Sequence, residues 1–186
     1  MKTKILIILT IIFFIFSSHT LVNALGDSEN PDNLKAVWIT RLVEFVEWPD
    51  EGIGKPSKPF IIGVFGESPV YFHLVENVEF YNNKNNKNIQ LIRITKTTSP
   101  ELKNCHILFI SNCSKTQFNN ILDEIAGLPI LTIGDTPRYE EKGVMINIFP
   151  APRGTLGFNV NMVSAEKCRI QLTSKILMRA KNIIKK

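Results

Sequence analysis

The chain has 186 residues, 44% of them hydrophobic and 21% charged, and its formal net charge is +5. This length suits one domain, and the apolar content is enough for a packed core, which excludes a wholly disordered chain. The charge excess is too small to indicate nucleic-acid binding.

The first 24 residues have the pattern of a secretory signal peptide. Lys2 and Lys4 precede a run of aliphatic, aromatic and threonine residues over 5–16, and a polar stretch then ends at Ala24. As a helix, this run is roughly 18 Å long, well short of the ~30 Å core of a bilayer. We therefore expect a signal peptide over 1–24, export to the periplasm and a mature domain over 25–186, the alternative being an uncleaved anchor.

Cleavage after Ala24 is directly testable. N-terminal sequencing of the exported protein is expected to start at Leu25, because the apolar run is short and a small residue stands at the cleavage position. An intact Met1 on the exported protein would contradict this prediction.

Apolar runs alternate with helical patterns along the rest of the chain. The predicted elements of the first half are a helix from Asp32 or Asn33 to Trp48, a strand over 60–65, a helix starting at Ser68–Pro69 and running to about Val78, a polar loop over 82–88, and a strand over 90–95. Those of the second half are a strand over 106–110, a helix capped by Ser114, a strand over 130–133, two antiparallel strands over 144–149 and 155–160, a helical turn over 162–167, and a last helix from Ser174 through Ile183.

These elements predict a fold class. Strands that are apolar throughout and alternate with helices indicate a sheet that is covered on both faces. The prediction is a single α/β domain of three layers, with a mixed sheet of about six strands and helices on both faces. Trp38 and Trp48, on the first helix, are predicted to be core residues.

The search for catalytic and metal-binding motifs favours neither an enzyme nor a metalloprotein. His73 and His106 have no second ligand at metal-binding spacing, so we expect structural roles for them and neither a metal nor a cofactor. The three cysteines are an odd number, which leaves a free thiol or a homodimer open. Cys105 and Cys113 flank a strand and are too far apart to pair with each other.

Glycines end two of the predicted strands, where α/β sheets usually bind ligands. A turn follows Phe65 and Gly66, and another follows Gly134 and Asp135. Backbone N–H groups at a helix N-terminus can bind an anion, whereas the simpler interpretation is a tight turn. These four residues are the candidate site for a small ligand.

Seven segments in register resemble the YfiR-like family. The most distinctive begins with Lys35-Ala36 and ends with Trp48-Pro49, and another contains Cys105-His106 before an apolar strand. The full set covers residues 35–49, 60–69, 105–111, 131–135, 143–148, 158–161 and 172–177. The chain departs from the family at Lys142-Gly143-Val144, where Gly-Gly is common, and at Leu42, where Phe is usual.

This resemblance implies a periplasmic regulator. Members of the family bind the periplasmic domain of an inner-membrane diguanylate cyclase and repress it, which lowers cyclic di-GMP and biofilm formation, and an outer-membrane lipoprotein can sequester the repressor. Phe158, Asn161 and Ser174 lie in matched segments and are the candidate partner-binding residues, with helix capping as the alternative role for Asn161 and Ser174. The alternative functions are a small-ligand sensor that reports to a membrane histidine kinase and, third, an enzyme of unrecognised type.

Overall fold

A computed structural model describes residues 30–49 and 58–186. The predicted signal peptide lies outside these residues, so export and cleavage stay predictions. Of the helices in the described ranges, none is both long and apolar enough to cross a membrane.

Five α-helices and nine strands make up the described chain. They are α1 Pro31–Leu42, β1 Val46–Glu47, β2 Phe60–Phe65, α2 Val70–Asn85, β3 Ile89–Ile94, β4 Ile107–Ile110, α3 Lys115–Glu124, β5 Leu131–Gly134, β6 Ile146–Ala151, β7 Thr155–Asn161, α4 Met162–Lys167, β8 Gln171–Leu172, α5 Ser174–Leu177 and β9 Asn182–Ile184. Short 3₁₀ helices occur at Pro100–Asn104, Glu140–Lys142 and Pro152–Gly154.

The main sheet has seven strands in the order β3-β2-β4-β5-β6-β7-β9. Strands β2 to β6 are parallel to one another, β7 is antiparallel to β6, and β9 is parallel to β7. A separate pair, β1 with β8, is antiparallel. The predicted α/β domain with a mixed sheet is confirmed, and β9 is the strand that the estimate of about six did not include.

Side chains of the central strands alternate between two hydrophobic cores. In β4, Ile107 and Phe109 belong to the core that includes residues of α1 and α2, whereas Leu108 and Ile110 belong to the core that includes residues of α3. Each strand thus needs apolar side chains on both faces, which is why these strands are continuous apolar runs. Ser114 caps α3 as predicted, in a capping box with Gln117.

The first two helices differ in length from their predictions. Helix α1 ends at Leu42, not at Trp48, because the chain turns at residues 43–45 and Val46 then pairs with Leu172 across β1 and β8. Helix α2 continues beyond Val78 to Asn85, and Asn86 ends it in a left-handed conformation. The polar stretch predicted as a loop over 82–88 is therefore largely helical.

The predicted last helix is wrong beyond its first turn. Helix α5 covers only Ser174–Leu177, and Ile183 lies in β9, where it pairs with Val160 of β7. The periodic apolar positions fitted a helix, but β-branched Ile183 and Ile184 complete the edge of the sheet instead. Non-local strand pairing has overridden the local helical pattern.

The two tryptophans are half-buried at the margin of a core, so their assignment as core residues needs correction. The Trp48 indole N–H donates to the carbonyl of His106 (3.2 Å), and its ring meets Phe60 edge-on. The His106 Nδ1 accepts from the backbone N–H of Ile61 (2.9 Å). His106 therefore has the structural role that the sequence predicted for it.

Candidate partner-binding groove

An apolar groove of about 490 Å³ lies between α1, β7 and α5. Its floor contains the Trp38 and Phe158 rings, whose centroids are 4.5 Å apart. Met178, on the chain just after α5, is 78% exposed at its margin. The complete lining is Trp38, Leu42, Phe45, Phe158, Lys175, Ile176, Met178 and Arg179.

Backbone pairing holds the two sides of the groove together. The β1–β8 pair joins the end of α1 to the chain before α5, and the N–H of Thr173 donates to the carbonyl of Phe45 (3.2 Å). On the other side, the N–H of Lys181 donates to the carbonyl of Phe158 (2.8 Å). The groove is therefore fixed by the same short strands that end α1 and interrupt the predicted last helix.

The charged residues that line the groove are both basic. Lys175 and Arg179 are exposed, and the Lys175 ammonium lies 5.9 Å from the centroid of the Phe45 ring. An apolar floor with a charged rim is the usual composition of a protein-binding surface. This rim favours an acidic partner segment.

The groove accounts for one of the three predicted partner-binding residues. Phe158 forms its floor, and Ser174 is exposed at the first position of α5, beside the rim residue Lys175. Asn161 is buried and does not line the groove. The N-cap of α5 is Thr173, so the capping role considered for Ser174 is wrong.

Asn161 has two structural bonds. Its side-chain oxygen accepts from the N–H of Ser164 (2.9 Å), which caps α4, and its amide donates to the carbonyl of Glu140 (2.8 Å). The Glu140 carboxylate, also buried, accepts from the amides of Asn147 and Asn159. Asn161 thus belongs to a polar network that joins β6 and β7 to the 3₁₀ helix at Glu140–Lys142.

Truncating Asn161 is expected to reduce stability rather than recognition. Asn161→Ala removes the cap of α4 and leaves a buried carbonyl without its donor, which should lower the free energy of unfolding by ~1–3 kcal/mol. Urea unfolding measures this loss, and partner binding per folded molecule should stay unchanged. Lost binding at normal stability would instead place Asn161 in an interface.

The four candidate ligand residues lie along one edge of the sheet. Phe65 is in register with Ile110, and Ile110 with Gly134, so these strands end side by side. Phe65 is buried in the core. Asp135 accepts from Lys35 (2.8 Å), which also donates to Asp32. Burial alone would lower the pKa of Lys35, but its bonds to the two aspartates raise the pKa above its usual value.

The glycines at this edge, and Gly63 within β2, serve packing and turn geometry. A Cβ at Gly134 would lie 2.8 Å from the Tyr139 ring, and one at Gly63 would lie 2.5 Å from the Cys105 sulfur. Gly66 has a φ of +85°, which favours glycine in the turn before α2. These contacts support the tight-turn interpretation of the glycines.

The sequence did not identify most of the groove. Trp38, Leu42 and Phe45 fit the apolar face of a helix, a pattern typical of core packing, whereas Lys175 and Arg179 resemble an ordinary solvated face. Their proximity depends on β1–β8 pairing between two-residue strands, which leaves almost no sequence signal. In the described ranges, no group of three or more acidic, histidine or cysteine side chains is arranged to hold a metal.

Comparison with known proteins gives one family and two structural relatives. The YfiR/HmsC-like family matches residues 32–181. A Streptococcus pneumoniae structure described as an ABC domain in complex with L-Trp superposes with a TM-score of 0.54 at 12% identity. A conserved domain protein from Vibrio cholerae O1 biovar El Tor superposes with a TM-score of 0.51 at 13% identity.

These two likenesses concern the fold alone. Each covers 80% of this chain, which spans 60% of the length of either structure. No curated protein matches the sequence.

Proposed function

Because this chain belongs to the YfiR/HmsC-like family, we propose that it binds the periplasmic domain of an inner-membrane diguanylate cyclase and represses the enzyme. The family is a regulatory, non-catalytic one of periplasmic proteins in cyclic di-GMP signalling. The proposal adds the specific partner and the direction of control. An outer-membrane lipoprotein that sequesters the repressor would complete the circuit.

The observation that carries the proposal is the apolar groove with its basic rim. Met178 leaves a large apolar side chain in water, and the floor below it presents Trp38 and Phe158. Large aromatic and methionine side chains of this kind are enriched in protein interfaces. A partner with an apolar side chain next to an aspartate or glutamate would fill the floor and pair with Lys175 or Arg179.

Repression by such a groove requires no catalytic group. A repressor shifts the equilibrium of its target only by the difference between its affinities for the inactive and the active state. The groove can supply that difference if the apolar segment of the cyclase is presented in the inactive state and withdrawn in the active one. Cyclic di-GMP synthesis then falls because fewer cyclase molecules occupy the active state.

Deletion of the gene tests the proposal. In a host that expresses a cyclase with a periplasmic domain, deletion should raise cyclic di-GMP, and the full chain should restore the lower level. A version without residues 1–24 should fail to restore it, because it stays on the wrong side of the membrane. Unchanged cyclic di-GMP in the deletion strain, with that cyclase present, would overturn the proposal.

The second candidate is a small-ligand sensor that reports to a histidine kinase. The volume of the groove, about 490 Å³, lies within the range of small-molecule sites. A compound that binds there should raise the melting temperature of the purified protein. Two results together would favour this function. The compound would stabilise the purified wild type but not a groove variant, and deletion of the gene would leave cyclic di-GMP in the cell unchanged.

A further inference from the structure

The excess positive charge of this chain is concentrated in residues 167–186. This segment of 20 residues contains seven lysine and arginine residues and no aspartate or glutamate. Residues 1–166 contain 15 basic residues against 17 acidic ones, so they are slightly negative as a whole. All seven basic side chains of the segment are exposed: Lys167, Arg169, Lys175, Arg179, Lys181, Lys185 and Lys186.

Two of these seven residues line the groove, and we call the other five the basic edge: Lys167, Arg169, Lys181, Lys185 and Lys186. They flank β9 and the end of α4, and α4 packs against β9. Helix α4 begins directly after Asn161, which is in register with Ile184 of β9. Because α4 is only about 9 Å long, close to the Debye length of about 8 Å at physiological ionic strength, the charges near its two ends act on one patch of surface.

The basic edge is neither neutralised nor free to move away. Of the ion pairs between described residues, none involves its five side chains. Two exposed carboxylates are close in sequence or in register, Glu166 and Glu47, the latter opposite Gln171 in the β1–β8 pair. The five positive charges outnumber them. The edge is also ordered, because β9 pairs with β7 and the N–H of Lys181 donates to the carbonyl of Phe158 (2.8 Å).

We propose that the basic edge docks on the surface of a bilayer that contains anionic phospholipid. Clusters of roughly four to eight lysine and arginine residues at a membrane surface are typical of proteins that bind anionic headgroups. Four of the five residues here are lysines. Their compact, strongly hydrated charges suit a diffuse anionic surface, whereas arginine suits two-point pairing with a single carboxylate.

Docking in this way leaves the groove available to a protein partner. The basic edge shares no residue with the groove lining, yet Lys181 follows the rim residue Arg179 by only two positions. A docked molecule therefore holds the groove close to the membrane, where the periplasmic domain of an inner-membrane protein is found. Attachment to the same membrane raises the effective concentration of the groove for such a partner. The lipid interaction itself does not depend on which protein the groove binds.

Co-sedimentation of the purified exported protein with vesicles tests the proposal. The protein should sediment with vesicles made of phosphatidylglycerol and phosphatidylcholine in equal parts, and at most weakly with phosphatidylcholine alone. The second vesicle has the same apolar interior without the net charge, so the difference between the two measures electrostatic docking. Raising the salt concentration from about 0.05 M to about 0.5 M should release the protein, because the Debye length becomes shorter.

Neutralising the basic edge tests the assignment of the surface. The triple variant Lys181→Gln, Lys185→Gln and Lys186→Gln should bind the anionic vesicles at least about tenfold more weakly, because each basic residue near such a surface contributes roughly fivefold. The matched control removes three exposed lysines outside the basic edge, by Lys84→Gln, Lys87→Gln and Lys96→Gln. The control should bind like the wild type, and both variants should melt at the temperature of the wild type.

Three outcomes would overturn the proposal. The first is a wild type that does not sediment with the anionic vesicles, and the second is an equal loss of binding in the triple variant and its control. The third is a triple variant that binds the vesicles like the wild type but loses the periplasmic domain of the cyclase, which would make the basic edge a protein-binding surface. An unchanged affinity of the triple variant for that domain in solution, together with lost vesicle binding, would support lipid docking.

Discussion

Replacing Met178 by aspartate is expected to abolish repression of the cyclase without unfolding the domain. Met178 is 78% exposed, so its replacement costs little packing, yet it lines the groove proposed to bind the partner. In the complex, the new carboxylate would be desolvated against the apolar floor and would repel the acidic partner segment that Lys175 and Arg179 are proposed to bind, which costs several kcal/mol. Cyclic di-GMP in the variant strain should rise to the level of the deletion strain.

Two control variants separate the groove from general effects. Met178→Leu keeps an apolar side chain of similar volume and should repress like the wild type. Asn119→Asp adds the same charge at an exposed position of α3 and should also repress normally. Full repression by Met178→Asp at normal protein abundance would remove the groove from the partner-binding surface.

The size of the expected effect follows from the population shift that repression requires. Moving a two-state cyclase from 1% to 99% inactive needs a differential affinity of about 5.5 kcal/mol. Loss of a single important interface contact is worth about 2 kcal/mol or more. A loss of about 2 kcal/mol would raise the active fraction from about 1% to about 20%, and a loss of about 4 kcal/mol or more, roughly what a buried charge costs, would remove most of the control.

The strands of the parallel sheet could be predicted from the sequence because each carries its signal locally. The segments 60–65 and 107–110 are apolar on both faces, since each strand contributes to two cores. The cap at Ser114 was equally local, because its partner Gln117 is three residues away. Such elements depend on side chains within one short window.

The groove could not be predicted because it depends on pairs that are remote in sequence. Val46 pairs with Leu172, and Ile183 with Val160, in strands of only two to seven residues. The first pair ends α1 early, and the second replaces a predicted helix with a strand. Together they place Phe45 and Met178 on one surface, although the two residues lie at opposite ends of the domain sequence.

At the sheet edge predicted to bind a ligand, the sequence predicted the position of the residues but not their surroundings. Gly134 and Asp135 were placed correctly at the end of a strand, but the sequence did not show which side chains would occupy that edge. Lys35, from the first helix, reaches across to Asp135, and Tyr139 packs against Gly134. The strand-end motif therefore predicted where these residues lie, but it did not predict whether other side chains would fill the space that a ligand needs.

Stability is expected to fall in alkaline solution, with the Cys105 thiol as a major cause. Cys105 is buried, and its Sγ donates to the carbonyl of Glu101 (3.3 Å). Burial, with a smaller contribution from the nearby Glu101 charge, raises the pKa of this thiol from 9.0 to about 12, against a lowering by the backbone of Gly63. The folded state thus favours the protonated thiol.

The sign of the pH dependence follows from this raised pKa. Below about pH 9, the thiol is protonated in both the folded and the unfolded chain, so its contribution to stability is fully present. Between about pH 9 and pH 12, the unfolded chain releases the proton while the folded chain retains it, and the free energy of unfolding falls. A difference of about three pKa units corresponds to a loss on the order of 4 kcal/mol across that range.

Cys105→Ala isolates this contribution. Burial also raises the pKa of Cys113, Cys168 and Tyr139, so some alkaline loss should remain in the variant. At neutral pH the variant should be slightly less stable, because it lacks a buried side chain. Between pH 9 and pH 11, however, its free energy of unfolding should fall less steeply than that of the wild type, measured by urea unfolding at each pH. Parallel pH profiles for the two proteins would contradict this prediction, since they would mean that the folded chain accommodates the Cys105 thiolate. Water would then have to enter the space between Gly63 and the 3₁₀ helix at Pro100–Asn104.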